Sequence, residues 1–132
     1  MIMDSQDNKK RFPFLRSFTF AIAGIITALR TERNMRFHAV SSIIVLLASY
    51  SFSISRIEWL LIIFTIGGMF ALELINSAIE RVVDLATLEY HPLAKQAKDL
   101  AAGAVFVYAI LSVVIGVVIF LPYILGIFEN GY

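Results

Sequence analysis

The chain has 132 residues, formal net charge +1, 59% apolar and 16% charged residues, and a mean hydropathy of +0.82. A soluble domain runs near ~25% charged and under ~50% apolar, so a soluble globule of this size has no way to hide so much apolar surface. The same excess excludes intrinsic disorder, the near-neutral charge gives no general argument for nucleic-acid binding, and the lack of cysteine excludes a disulfide framework and thiolate metal sites. Residues 1–132 read as one small membrane-embedded domain.

Residues 1–13, with the polar run MIMDSQDN and then Lys9, Lys10 and Arg11, are expected to form a disordered tail. A signal peptide would need an apolar run directly after that cluster, and the next stretch is only amphipathic. Phe14, Phe18, Ile22, Ile25 and Leu29 recur at spacings of three and four, with Arg16, Thr19, Thr27 and Arg30 opposite. This predicts a helix over 14–31 lying in the membrane surface. A short soluble core helix would give the same pattern, but the chain offers little soluble protein for it to pack on. Three apolar stretches follow, over 37–54, 57–83 and 98–121, and are expected to be transmembrane helices, since a span needs about 17–25 residues. The second reaches that length only by continuing through Glu73 to Val83.

Seven of the eleven basic residues lie within residues 1–36, three more (Arg81, Lys95 and Lys98) sit in or beside the second connection, and none follows Lys98. The basic residues therefore put the N-terminus and the 84–98 loop in the cytoplasm and the C-terminus outside, in a multi-pass cell-membrane protein. Trp59 and Tyr123 suit the aromatic belt. There is no internal repeat, which argues against an inverted-repeat transporter within one chain.

The second span carries the informative feature. Glu73, Asn76, Glu80 and Asp84 are spaced by three, four and four, so on a helix they share one face within about 80° of arc, with Ser77 at its border. Glu80 lies roughly 10 Å along the axis from Glu73. An ionised carboxylate in hydrocarbon costs at least ~2.5–3.5 kcal/mol, so this stripe must face a bundle interior, a cation or water. Protonated acids bonded to a neighbouring helix would satisfy the same constraint; cation binding, proton transfer and catalysis are the functional options.

The flanks favour phosphate handling. Pro92 suits a first helical turn, and Lys95, Lys98 and Asp99 then start the third span near the cytoplasmic surface. Lys95 and Asp99, four apart, can simply pair, which leaves Lys98 available. Ala101 to Ala104 let another helix approach closely. Glu32, just past the amphipathic helix, brings a further acid to the same surface. Hard oxygen ligands with waters and phosphate oxygens are what magnesium prefers, and a nearby lysine can neutralise charge on a transferring phosphate. Each element is weak alone: the lysines fit an ordinary positive-inside pattern, and Asn34 with Arg33 and Arg36 suits headgroup contact or simple orientation. His38 and His91 lack paired-ligand spacing for zinc. No GxxxxGK[ST] phosphate loop and no GxGxxG is present, so a nucleotide enzyme here uses neither cradle.

The run Glu73-Leu-Ile-Asn-Ser-Ala-Ile-Glu-Arg-Val-Val-Asp84, then Glu89-Tyr-His-Pro and Ala97-Lys-Asp-Leu-Ala-Ala-Gly-Ala104, resembles the bacterial integral-membrane diacylglycerol kinase and undecaprenol kinase family, from about Phe14 to Leu121. Thr31-Glu-Arg-Asn-Met-Arg-Phe-His38 looks more like its Gram-positive undecaprenol kinase branch. The resemblance implies an all-α membrane protein with one surface helix and three transmembrane helices, assembled as a homotrimer with active sites shared between subunits. It implies transfer of the γ-phosphate of MgATP to the hydroxyl of a membrane lipid, undecaprenol or else diacylglycerol. Carried over by motif, Glu73 is the base for the lipid hydroxyl and Glu80 and Glu32 hold Mg²⁺. Asn76 and Asp84 organise the polar stripe. Glu89, Tyr90 and His91 line the nucleotide loop, and Lys98 and Asp99 contact ATP, Lys98 at the phosphates.

Two positions depart from the family pattern. Pro13 stands where the surface helix often carries an arginine, and neither Arg11 nor Arg16 is assigned its role. Phe20 stands where an aromatic hydroxyl is common, which keeps stacking and loses a hydrogen bond. A proton-coupled transporter built as an oligomer and a non-catalytic membrane scaffold remain open on the residues alone. The transporter has no need of Lys98 and Asp99 at a phosphate-facing helix start, and the scaffold would tolerate loss of Glu73 and Glu80.

Overall fold

A computed structural model describes residues 14–129, with side chains from Arg16 onward. The expected tail over 1–13, with Lys9, Lys10, Arg11 and Pro13, lies outside the described residues, as does the side chain of Phe14. Those described form four helices and no strand: α1 (Phe14–Thr31), α2 (Arg33–Ser51), α3 (Arg56–Ala86) and α4 (Pro92–Glu129).

The helix ends follow local chemistry. Glu32 adopts an extended conformation and separates α1 from α2, so α2 begins at Arg33 rather than Phe37. Ser55 caps α3: its hydroxyl accepts from the Glu58 amide at 3.3 Å, and the Glu58 carboxylate accepts from the Ser55 amide at 2.7 Å. The turn between α2 and α3 places Ser53 at φ 52°, a left-handed conformation uncommon for a residue with a side chain. Pro92 occupies the first position of α4, as its fitness for a first helical turn predicts and six residues ahead of the expected span over 98–121, and the His91 ring nitrogen Nδ1 accepts from the Leu93 amide at 3.2 Å. The long acidic helix is unbroken from Arg56 to Ala86.

Helices α3 and α4 pair along their length, while α2 and α1 lie against α3. At one end of the pair, Ile54, Ile62 and Ile119 are buried beneath Phe52, Trp59, Phe120 and Tyr123. The Phe52 and Tyr123 rings stack at 5.7 Å, and the Tyr123 hydroxyl donates to Glu58 at 2.8 Å. Midway, the Tyr108 hydroxyl donates to the Phe64 carbonyl at 3.1 Å, and its ring lies over Gly68 in space that any side chain there would occupy. At the opposite end, Arg36 donates to the Arg30 carbonyl at 2.9 Å and to that of Leu29 at 3.4 Å, fastening α2 to the last turn of α1.

Large apolar side chains stand exposed on every helix, among them Ile22 and Ile25 of α1, Ile43 and Leu47 of α2, Phe64 of α3 and Val117 of α4. Exposed apolar surface on that scale marks contact with lipid or with protein. Helices α3 and α4 are long and apolar enough to cross a membrane. Helix α2, which covers the first of the three expected spans (37–54), does not reach that mark, because its first turn carries Arg33, Asn34 and Arg36.

The contact at Gly68 has a direct test against its neighbour Gly67, around which a Cβ would meet nothing within 4 Å. Gly68→Ala is expected to lower unfolding free energy in micelles by about 1–3 kcal/mol, the usual effect of overpacking. Gly67→Ala should be neutral or stabilising, because alanine favours helix by ~1 kcal/mol over glycine. Equal effects of the two substitutions would contradict the packing described.

Candidate functional site

The acid stripe of α3 runs from the interior to the surface. Glu73 is only 2% exposed, Asn76 8% and Ser77 7%; Glu80 is half-buried and Asp84 exposed. A straight-chain carboxylate, an amide and a second carboxylate one turn apart can bond along the helix, and the Asn76 amide donates to Glu80 Oε1 at 3.3 Å. The Asn76 carbonyl oxygen and Glu73 Oε1 are both buried without a hydrogen bond. His38 of α2 brings Nε2 to 3.2 Å from Glu73 Oε1, within ion-pair distance but off the line of a good hydrogen bond. Buried acceptors left in this state are uncommon and call for a partner.

Glu32 does not stand alone at the α1–α2 junction. The Arg81 guanidinium donates to Glu32 Oε1 at 3.0 Å and to the Thr31 hydroxyl at 2.8 Å, tying the junction to α3 at the residue after Glu80. Asp84 and Lys98 are joined across the connection between α3 and α4, so Lys98 is not left available as its helix position alone suggests. Lys95 and Asp99 form the expected pair one turn apart. Both pairs are largely solvent-exposed, a setting in which an ion pair is weak and opens readily to another ligand.

The loop after α3 closes a cavity of about 230 Å³ against the N-terminal turns of α4. Its lining brings together Asp84, Glu89, Tyr90, His91, Lys95 and Lys98, six of the residues singled out in the sequence. Thr87 shapes the loop, its hydroxyl accepting from the Glu89 amide at 3.2 Å. The N-terminus of α4, with the positive end of its helix dipole and two lysines within two turns, favours anions there. Glu32, Glu73, Asn76, Glu80 and Asp99 lie outside this lining. Among the described residues, no three acids or histidines gather closely enough to hold a metal ion.

Sequence reasoning missed three contributors. Arg81 was legible as a basic residue next to Glu80 inside an apolar helix, but its partner was not. Arg36, by its sequence position, suits headgroup contact or orientation, and its bonds to the α1 carbonyls depend on the turn at Glu32. His38 was set aside for want of zinc-like spacing, and its position against Glu73 depends on how α2 leans on α3.

An all-helical chain with membrane-length helices, a carboxylate stripe and a lysine-flanked cavity at its polar end has the parts of an enzyme working on a membrane-borne substrate. Residues 19–120 match the family model for prokaryotic diacylglycerol kinase. The chain is 52% identical over 121 residues to an undecaprenol kinase of Bacillus subtilis, covering 91% of this chain and 98% of that one. It is 40% identical over 114 residues to a diacylglycerol kinase of Synechocystis, covering 86% and 65% of the two chains, and 36% identical over 93 residues to a diacylglycerol kinase of Pseudomonas aeruginosa, covering 70% and 76%. The chain belongs to the prokaryotic diacylglycerol kinase family, whose chemistry is ATP-dependent phosphorylation of a lipid. That membership decides against the transporter and scaffold readings.

Proposed function

We propose that the protein is an undecaprenol kinase, transferring the γ-phosphate of MgATP to the hydroxyl of undecaprenol and yielding undecaprenyl phosphate. The observation that carries this acceptor is the 52% identity to an undecaprenol kinase along nearly the full length of both chains, against lower identity to the diacylglycerol kinases named above. The reading puts α2, α3 and α4 across the bacterial cell membrane, α1 on its surface, the N-terminus and the α3–α4 loop in the cytoplasm and the C-terminus outside. It also makes the working unit a homotrimer with shared active sites. Two features favour a shared site: a single chain gathers no three-acid cluster among its described residues, and every helix exposes apolar surface.

Glu73 stands seventeen residues into α3, about 26 Å along its axis. If α3 enters at one face of a hydrocarbon core ~30 Å thick, Glu73 lies just inside the other, where a lipid hydroxyl meets cytoplasmic solutes. There Glu73 takes the hydroxyl proton. The hydroxyl oxygen forms a bond to the γ-phosphorus as the bond from that phosphorus to the bridging oxygen breaks, and ADP departs with the electron pair. Asn76 orders the stripe through Glu80. Asp84, Glu89, Tyr90 and His91 form the nucleotide cavity with Asp99 at its edge, and Lys98 exchanges Asp84 for a phosphate oxygen.

Glu80 and Glu32 suit a magnesium ion: two carboxylates supply hard oxygens, and this ion usually keeps waters and takes phosphate oxygens for its other positions. When bound, it supplies charge neutralisation on the phosphates. Arg81 holds Glu32 in reach of the stripe until that role is taken up.

Glu73→Gln, nearly the same in shape, should preserve assembly and MgATP binding but remove most transfer to undecaprenol in mixed micelles; full turnover in this variant would reject Glu73 as the base. Glu80→Ala should raise the magnesium and ATP concentrations needed for half-maximal rate together. An unchanged magnesium titration would remove Glu80 from the metal site.

A further inference from the structure

We infer that His38 is a positioning residue for Glu73, holding one carboxylate oxygen so that the other faces the lipid hydroxyl; this rests on the proposed role of Glu73 as base. The two side chains come from different helices. Glu73 is buried on α3, and His38, largely buried on α2, brings Nε2 to 3.2 Å from Glu73 Oε1. That oxygen has no hydrogen bond, and a small rotation of the ring would supply one from Nε2–H. Phe37 packs edge-on to the ring at 5.6 Å between centroids.

His38 also borders an apolar groove of about 390 Å³ between α2, α3 and α4, and among the residues lining it His38 alone is ionisable. The Thr65 and Ser112 hydroxyls in that lining bond to carbonyls of their own helices, at 2.7 and 2.8 Å, and Ser41 and Ser42 add two hydroxyls to a wall that is otherwise apolar or aromatic apart from His38. The ring therefore stands where apolar surface meets the acid stripe, the direction from which a lipid alcohol approaches Glu73. Donation from Nε2–H fixes Oε1 and leaves Oε2 as the oxygen that receives the proton. Asn76, one turn along α3, donates from its amide toward Glu80, on the far side of it from Glu73 along the helix.

The test uses the full chain in mixed micelles with undecaprenol and MgATP. His38→Phe keeps an aromatic ring and removes the donor; His38→Gln restores an N–H at similar reach. His38→Phe is expected to lower kcat roughly 10- to 100-fold, the effect of losing one hydrogen bond to a charged group, with both KM values little changed. His38→Gln should recover most of the loss, and in a Glu73→Gln background His38→Phe should add nothing further. Wild-type turnover in His38→Phe, failure of His38→Gln to recover, or a full extra loss in the Glu73→Gln background would each overturn the assignment.

A spectroscopic arm guards against variants that fail to fold. The chain has two histidines, so ¹⁵N-histidine spectra of the wild type are simple to assign. His38 should carry its proton on Nε2, and that signal should move in Glu73→Gln while His91 stays in place. An unmoved His38 signal would also overturn the inference. A wild-type protein that phosphorylates no lipid, yet passes this spectroscopic test, would instead reject the kinase reading and keep the contact.

Discussion

A carboxylate that is 2% exposed, in a helix otherwise fit for a bilayer, is the constraint around which this fold is arranged. Glu73 is costly anywhere in hydrocarbon and more so without hydrogen bonds. The surrounding structure answers that cost in graded fashion. Asn76 and Ser77 extend the polar face while still buried, Glu80 is half-covered and bonded by Asn76, and Asp84 reaches solvent and Lys98. The stripe thus leads from the apolar interior to the cavity under the α3–α4 loop, and a reaction joining a membrane alcohol to a soluble nucleotide requires such a path.

The remaining elements hold that path in place from both ends. The capped start of α3 and the stacked rings of Phe52 and Tyr123 fasten the far end of the α3–α4 pair, and Tyr108 over Gly68 sets its spacing in the middle. At the polar end, Arg81 ties α3 to the α1–α2 junction through Glu32 and Thr31, and Arg36 closes the last turn of α1. These contacts carry little energy individually where they are exposed. Their effect is geometric: they bring residues from α1, α2, α3 and the loop to one end of the molecule.

Much of this was legible in the residues. The apolar periodicity of 14–31 matches α1, and the three-four-four spacing put Glu73, Asn76, Glu80 and Asp84 on one face because that face is a property of a single helix. The loop residues Glu89, Tyr90 and His91 do line one cavity with Lys98. What escaped depended on how separate elements meet. Lys98 looked available because its nearest helical neighbour favoured Lys95, whereas Asp84 reaches it only after the loop reverses the chain. His38 meets Glu73 only through the lean of α2 on α3. The start of α2 was placed late because Arg33, Asn34 and Arg36 conceal a helical turn that apolar periodicity does not mark.

The most direct measurement is transfer of labelled γ-phosphate from MgATP by the purified protein in mixed micelles, with undecaprenol and diacylglycerol offered separately at matched concentrations. The account predicts phosphorylated undecaprenol well above phosphorylated diacylglycerol. The reverse preference would contradict the proposed acceptor, and no label in either lipid, from folded protein that binds ATP, would contradict the kinase chemistry itself.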